Sequence, residues 1–178
     1  MKKIIILSVV IALIFCCFTS CTGYNKIMRD HLSDSNNYAT FEVILNDICY
    51  LDSNTHQFVS NSNVSESSKG SAYFCVQFET YENVAVFIGG DPNKDIPIEE
   101  FVINFEITEE NNKILYENGF YDDFALGDRI TIAASHWIYM DTEFFYIAQV
   151  EYRGKVYLNF EEGLRNIVEM MNNDKSFF

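Results

Sequence analysis

Three histidines, two isolated cysteines and several paired carboxylates are the side chains of this chain with chemistry to offer. His31, His56 and His136 stand far apart, and no two lie at a metal-ligand spacing. Cys49 and Cys75 form no C-x-x-C, so a zinc site is not expected. Nucleophilic catalysis needs a nucleophile held by a positioned base. The chain contains neither a G-x-S-x-G elbow nor a Gly-rich phosphate loop, so a hydrolase here needs a dispersed active site. The acidic pairs Glu99-Glu100, Glu109-Glu110, Asp122-Asp123 and Glu161-Glu162 do not supply one. Adjacent strand residues face opposite sides, whereas an acid/base pair must converge. These pairs read as solvated surface, and no catalytic residue is assigned.

One acidic stretch is more specific. DPNKDIPIEE sets Asp91, Asn93 and Asp95 at alternate positions, with Glu99 in the ninth place. It resembles the start of an EF-hand calcium loop. It departs at the sixth place, Ile96 instead of Gly, and at the twelfth, Val102 instead of a bidentate Glu. The resemblance implies a weak Ca²⁺ site at Asp91, Asn93, Asp95 and Glu99; the plainer reading is an Asp-Pro turn into a strand. No other cofactor is indicated. Sixteen Phe, eleven Tyr and one Trp supply most of the remaining signal. Trp137 and Tyr139 flank the turn Met140-Asp141-Thr142-Glu143, where they form either core or an exposed recognition patch, since Trp and Tyr are favoured at binding hot spots.

The N-terminus places the protein. Two lysines precede an apolar run from Ile4 to Phe18, broken only by Ser8. That is a charged region followed by a hydrophobic one too short for a permanent span of roughly 20 residues. Cys21 follows Phe18-Thr19-Ser20, and FTSC resembles a bacterial lipobox, with Phe18 where an aliphatic is usual. The resemblance covers residues 1 to 21. It implies cleavage after residue 20, a thioether-linked diacylglycerol on Cys21, and a lipid-anchored protein on the extracytoplasmic face of the cell membrane. Ordinary secretion with a cut near Ser20 or Cys21 is the alternative.

Residues 21 to 178 suffice for one domain with a real core. Formal charge is −14, and beyond Lys2 and Lys3 ten basic side chains face 26 acidic ones. Nucleic acid and anionic lipid headgroups are poor partners, because both demand Lys and Arg against phosphate, and no nucleic acid is expected. Cys49 and Cys75 are either bonded or packed as thiols on neighbouring strands.

Residues 21 to 40 are polar and aperiodic and read as a tether, with a short helical turn around Ile27 to Leu32. From Phe41 the pattern alternates, and residues 52 to 71 read as a Ser/Asn-rich loop. AYFCVQFETY, VAVFIGG, EEFVINFEIT, RITIAAS, FFYIAQVEY and KVYL read as strands, the last two joined by a hairpin at Arg153-Gly154. NNKILYENGFYDDFALGD is less regular. In NFEEGLRNIVEMMNND, Asn159 caps a helix at about 160–172 whose stripe is Phe160, Leu164, Ile167, Val168 and Met171. Gly163 marks close packing against a strand. The expected fold is mainly β: a small antiparallel barrel of the oligonucleotide/oligosaccharide-binding type, or a sandwich, closed by this helix. The expected role is a non-catalytic binding or interaction module, tied to the membrane through Cys21 and engaging a protein or envelope component. A cell-envelope hydrolase and a structural subunit of an envelope assembly are the alternatives.

Overall fold

The computed structural model describes residues 26–51, 58–60, 71–88, 102–139 and 142–173. Period-two segments become strands where expected. β1 runs Tyr38–Leu51, β2 Phe58–Ser60, β3 Ala72–Phe78, β4 Val102–Ile107, β5 Arg129–Tyr139, β6 Thr142–Tyr152 and β7 Lys155–Leu158. The helices are α1 at residues 26–33, α2 Tyr81–Ile88, α3 Glu109–Glu117, α4 Phe120–Asp123 and α5 Phe160–Asn173.

β1 pairs with β3, β3 with β4, β4 with β6, β6 with β5, and β5 returns to β1. This closes a five-stranded barrel, and its order is that of the oligonucleotide/oligosaccharide-binding fold. Closure removes every edge among the five strands. Pairing is antiparallel except between β4 and β6, which run parallel and meet at Glu106 and Tyr146. The expected barrel is therefore mixed. The crossover through α3 and α4 reverses the direction that hairpins alone would impose.

Alternation decides what faces in. Ile103, Phe105 and Ile107 of β4 meet Ala72, Phe74, Val76 and Phe78 of β3 in the interior. β1 makes the same use of its pleat with one slip: a register shift between Leu45 and Asp47 lets Val43, Leu45 and Ile48 all turn inward. β6 carries a second shift opposite Ala133/Ala134. Strict alternation would put Phe144, Tyr146, Ala148, Val150 and Tyr152 on one face, and the shift splits it. Val150 and Tyr152 enter the barrel, whereas Tyr146 and Ala148 face outward beneath two helices. The β6–β7 turn has Arg153 at φ 50° and Gly154 at φ 77°, the left-handed pair that a two-residue hairpin demands.

Both ends are plugged with aromatics. Where β3 begins, α3 and α4 insert Leu115 and Phe120, and Phe120 lies against Phe74, Phe124 and Tyr157 at 4.8–5.7 Å between centroids. Where β3 ends, α2 sets Phe87 on Phe41, Phe105 and Phe145. VAVFI was expected as a strand and is the body of α2: a short apolar run reads alike in either state. The less regular stretch that begins at Asn111 belongs to α3 and α4. Thr108 caps α3 through its hydroxyl. The face α3 buries is largely amide, Asn111 and Asn112, so no apolar stripe announces it.

Outside the barrel, α5 and α1 lie together on β6. Met28 and Leu32 of α1 join Tyr146, Ala148, Ile167 and Met171 in a second core. The stretch read as a tether is thus folded from residue 26, with Met28 and Leu32 fully buried. α5 is the expected amphipathic helix, capped by Asn159, whose Oδ1 accepts from the Glu161 N–H at 3.1 Å. Gly163 rests on the Ala148 carbonyl, the close approach its position suggested.

Candidate functional site

α1, the start of β1, α2 and the far end of β5 leave a cleft of about 310 Å³ between them. Its walls are His31, Asn36, Asn37, Tyr38, Ala39, Phe41, Phe87 and His136. The two histidines, 105 residues apart, are brought together because α1 packs beside the end of β5. The His31 Nε2 lies 3.1 Å from the His136 carbonyl oxygen, so Nε2 carries the hydrogen and donates it.

His136 is the more unusual group. Its ring stacks on Phe145, 4.6 Å between centroids with 12° between planes, and lies 5.7 Å from Phe87. The side chain is 8 % exposed. The ring's Nε2 is buried with no hydrogen-bond partner and lies 3.8 Å from a Glu143 carboxylate oxygen. Burial holds the imidazole below its ordinary pKa and His31 adds to this; Glu143 and the Phe87 carbonyl pull the other way. The Nε2 of this ring is thus a buried polar atom without a hydrogen-bond partner. A buried polar atom without a partner costs about 1–3 kcal/mol, which a ligand's polar group recovers on binding.

Trp137 borders this cleft from outside the barrel. Its ring lies 4.7 Å from His31, and its Nε1 is likewise buried and unpartnered. The ring packs on the second core and is half-buried. Tyr139 is the last residue of β5. The calcium candidates Asp91, Asn93, Asp95 and Glu99 lie outside the described residues, as do Cys21 and His56. Among the described residues no three His, Cys, Asp or Glu side chains are grouped to hold a metal ion.

A serine does approach a histidine. The Ser135 hydroxyl lies 3.3 Å from His31 Nε2. It is fully buried, and that nitrogen already donates to a carbonyl, so the contact is not the base–nucleophile geometry of a hydrolase. A second cleft, of about 300 Å³, lies between α3 and α5 and is edged by Glu109, Glu110 and Glu169. Beneath it Asn111 links the helices, donating to the Gly163 carbonyl and accepting from Asn166.

Cys49 and Cys75 sit on neighbouring strands as free thiols. Cys75 donates to Asn104 Oδ1 at 2.7 Å, and burial pushes the Cys49 thiol up to about 12. On the same outward face burial raises Glu106 to about 7, against the pull of the Ser71 hydroxyl.

Comparison with protein-family models, curated proteins and solved structures finds no match to this chain. The cleft therefore stands on its own geometry. Sequence reasoning singled out Trp137 at its border but missed His31, Asn36, Asn37 and Tyr38, which lie in the stretch taken for a tether. The available signal was the i, i+4 pair Met28 and Leu32, which gives that stretch one apolar face.

Proposed function

We propose that this protein is a lipid-anchored, extracytoplasmic binding module, non-catalytic, that engages its partner at the cleft between α1, β1 and α2. The observation that carries the reading is the buried, unpartnered Nε2 of His136 on the wall of an open aromatic cleft. Native interiors satisfy their polar groups, and exceptions mark sites completed by something else. The anchor follows from the lipobox-like FTSC, with Cys21 as the first mature residue. Two acyl chains hold a domain firmly to a bilayer, at about 0.8 kcal/mol per buried CH₂. The partner is a protein or another envelope component; the acidity of the chain argues against nucleic acid.

Two experiments test the two halves. Cys21→Ser should abolish fatty-acid labelling and move the protein out of the membrane fraction; continued labelling would reassign the lipid to Cys16 or Cys17. For binding, a photoreactive phenylalanine analogue replaces either exposed Asn36, on the cleft wall, or exposed Val156, on β7, in cells. A discrete adduct from position 36 and none from 156 is expected. Equal labelling at both, or none at either, would refute a cleft-centred module.

A further inference from the structure

The start of α1 and the β5–β6 turn share one end of the barrel. Tyr38, the first residue of β1, pairs with Ser135 near the end of β5. α1 precedes that strand, and its His31 reaches the His136 carbonyl and lies 4.7 Å from the Trp137 ring. Two residues earlier, Arg29 donates to Asn172 in the last turn of α5 at 3.2 Å. α5 crosses Ala148 at Gly163 and runs back along β6 toward the start of that strand, so its last turn lies at the same end.

This end exposes apolar side chains. Ile27 of α1 is 58 % exposed and Ile138 of β5 is 53 % exposed. Strand residues alternate faces, so Ile138 points away from the second core on which Trp137 packs. Val102, also exposed, joins them: four residues back along the parallel strands from the Glu106–Tyr146 pair sets it level with Thr142. The exposed charges of α1 and the start of β6 balance, Lys26 and Arg29 against Asp30 and Glu143. Cys21 stands five residues before Lys26. Extended chain spans at most about 3.6 Å per residue, so no more than about 18 Å separates the two. A domain tethered this closely meets a surface at high effective concentration, and a small apolar contact is then well populated.

We propose that this end of the barrel rests directly on the bilayer, with Ile27, Val102 and Ile138 entering the headgroup–acyl boundary. This rests on Cys21 carrying the lipid and adds the orientation in which the domain is held. The contact is with zwitterionic lipid, since balanced charge gives anionic headgroups nothing to pair with.

The test uses the mature lipoprotein, purified from cells and reconstituted into vesicles of radiolabelled phosphatidylcholine. A photoreactive phenylalanine analogue replaces Ile27 or Ile138 or, as controls, the exposed Leu126 before β5 or Val156 on β7, which lie toward the other end of the barrel. Flotation with the vesicles reports the anchor, and lipid adducts report the contact. Flotation of every variant is expected, with adducts at 27 and 138 several-fold above those at 126 and 156. Ile138→Ser should lower the adduct from position 27 about fivefold, because a half-exposed isoleucine no longer leaves water. Thermal stability should be unchanged, the side chain being exposed. Equal adducts at all four positions, or none at any, in protein that floats would overturn the docking and leave the anchor standing. Adducts from 27 and 138 to a second copy of the chain instead of lipid would make this end a protein interface and also overturn it. Loss of flotation would overturn the anchor, and the docking with it.

Discussion

Gly163→Ala separates packing from helix propensity because the two predict opposite signs. On propensity alone, alanine inside α5 should stabilise by about 1 kcal/mol. The structure says otherwise. A Cβ at Gly163 would stand 2.0 Å from the Ala148 carbonyl oxygen, 2.8 Å from its carbon and 3.1 Å from its Cα. Heavy atoms of this kind settle at roughly 3.5 Å, so α5 must withdraw by more than about 1 Å. The obstacle is strand backbone, which has no rotamer to escape into. Withdrawal lifts Ile167 and Met171 from the second core and pulls the Gly163 carbonyl from the buried Asn111 amide, 3.2 Å away. Overpacking of this sort costs about 3 kcal/mol. For a domain of this size that lowers the melting temperature by about 6–12 °C. Differential scanning calorimetry of Gly163→Ala beside Glu169→Ala, an exposed position on the same helix, measures it; the control should stay within about 0.5 kcal/mol. A melting temperature equal to or above the parent's would show that α5 does not rest on β6 as described.

Other expectations follow from single contacts. Leu32→Ala should cost about 2–5 kcal/mol, measured by urea unfolding, because the side chain is fully buried in the second core; a neutral result would restore the tether. Glu106, raised by burial to about 7 in the fold, holds its proton more tightly there than when unfolded, so stability should fall as pH rises from about 4.5 through 7. The slope should approach 1.4 kcal/mol per pH unit and vanish in Glu106→Gln; a slope unaltered by that substitution would assign it elsewhere. Half-exposed Cys75 should react with iodoacetamide before buried Cys49, and both far more slowly than in urea, as followed by mass spectrometry. Prior loss of both thiols without reagent would reveal a bond between them.

Legibility in the sequence tracked how far apolar pattern alone determines structure. β4 was plain because Ile103, Phe105 and Ile107 alternate without interruption. α5 was plain because its stripe, cap and Gly163 agree with one another. α3 was hidden because two of its three buried positions are Asn111 and Asn112, and Asn111 is held by Gly163 and Asn166, more than fifty residues away. α2 was misread because Val84, Ala85 and Phe87 plug an open barrel end, so the run is apolar without a period that tells helix from strand. The bulge in β6 moved Tyr146 and Ala148 to the outer face, and only pairing with β5 locates that extra residue. The cleft suffered most. His31 and His136 meet through long-range packing of α1, and in a segment dominated by Asp, Ser and Asn the single pair Met28 and Leu32 is a faint sign of a buried face.

The claim that the cleft is the functional surface competes with the use most barrels of this type make of their second and third strands, here β3 and β4. Amide hydrogen exchange, comparing the free protein with the adduct captured through position 36, distinguishes the two directly. Slowed exchange across residues 36–41 and 84–88, with β3 and β4 unchanged, is expected of a partner seated in the cleft. Slowing confined to residues 73–77 and 102–106 would contradict it and move the binding surface to the side of the barrel.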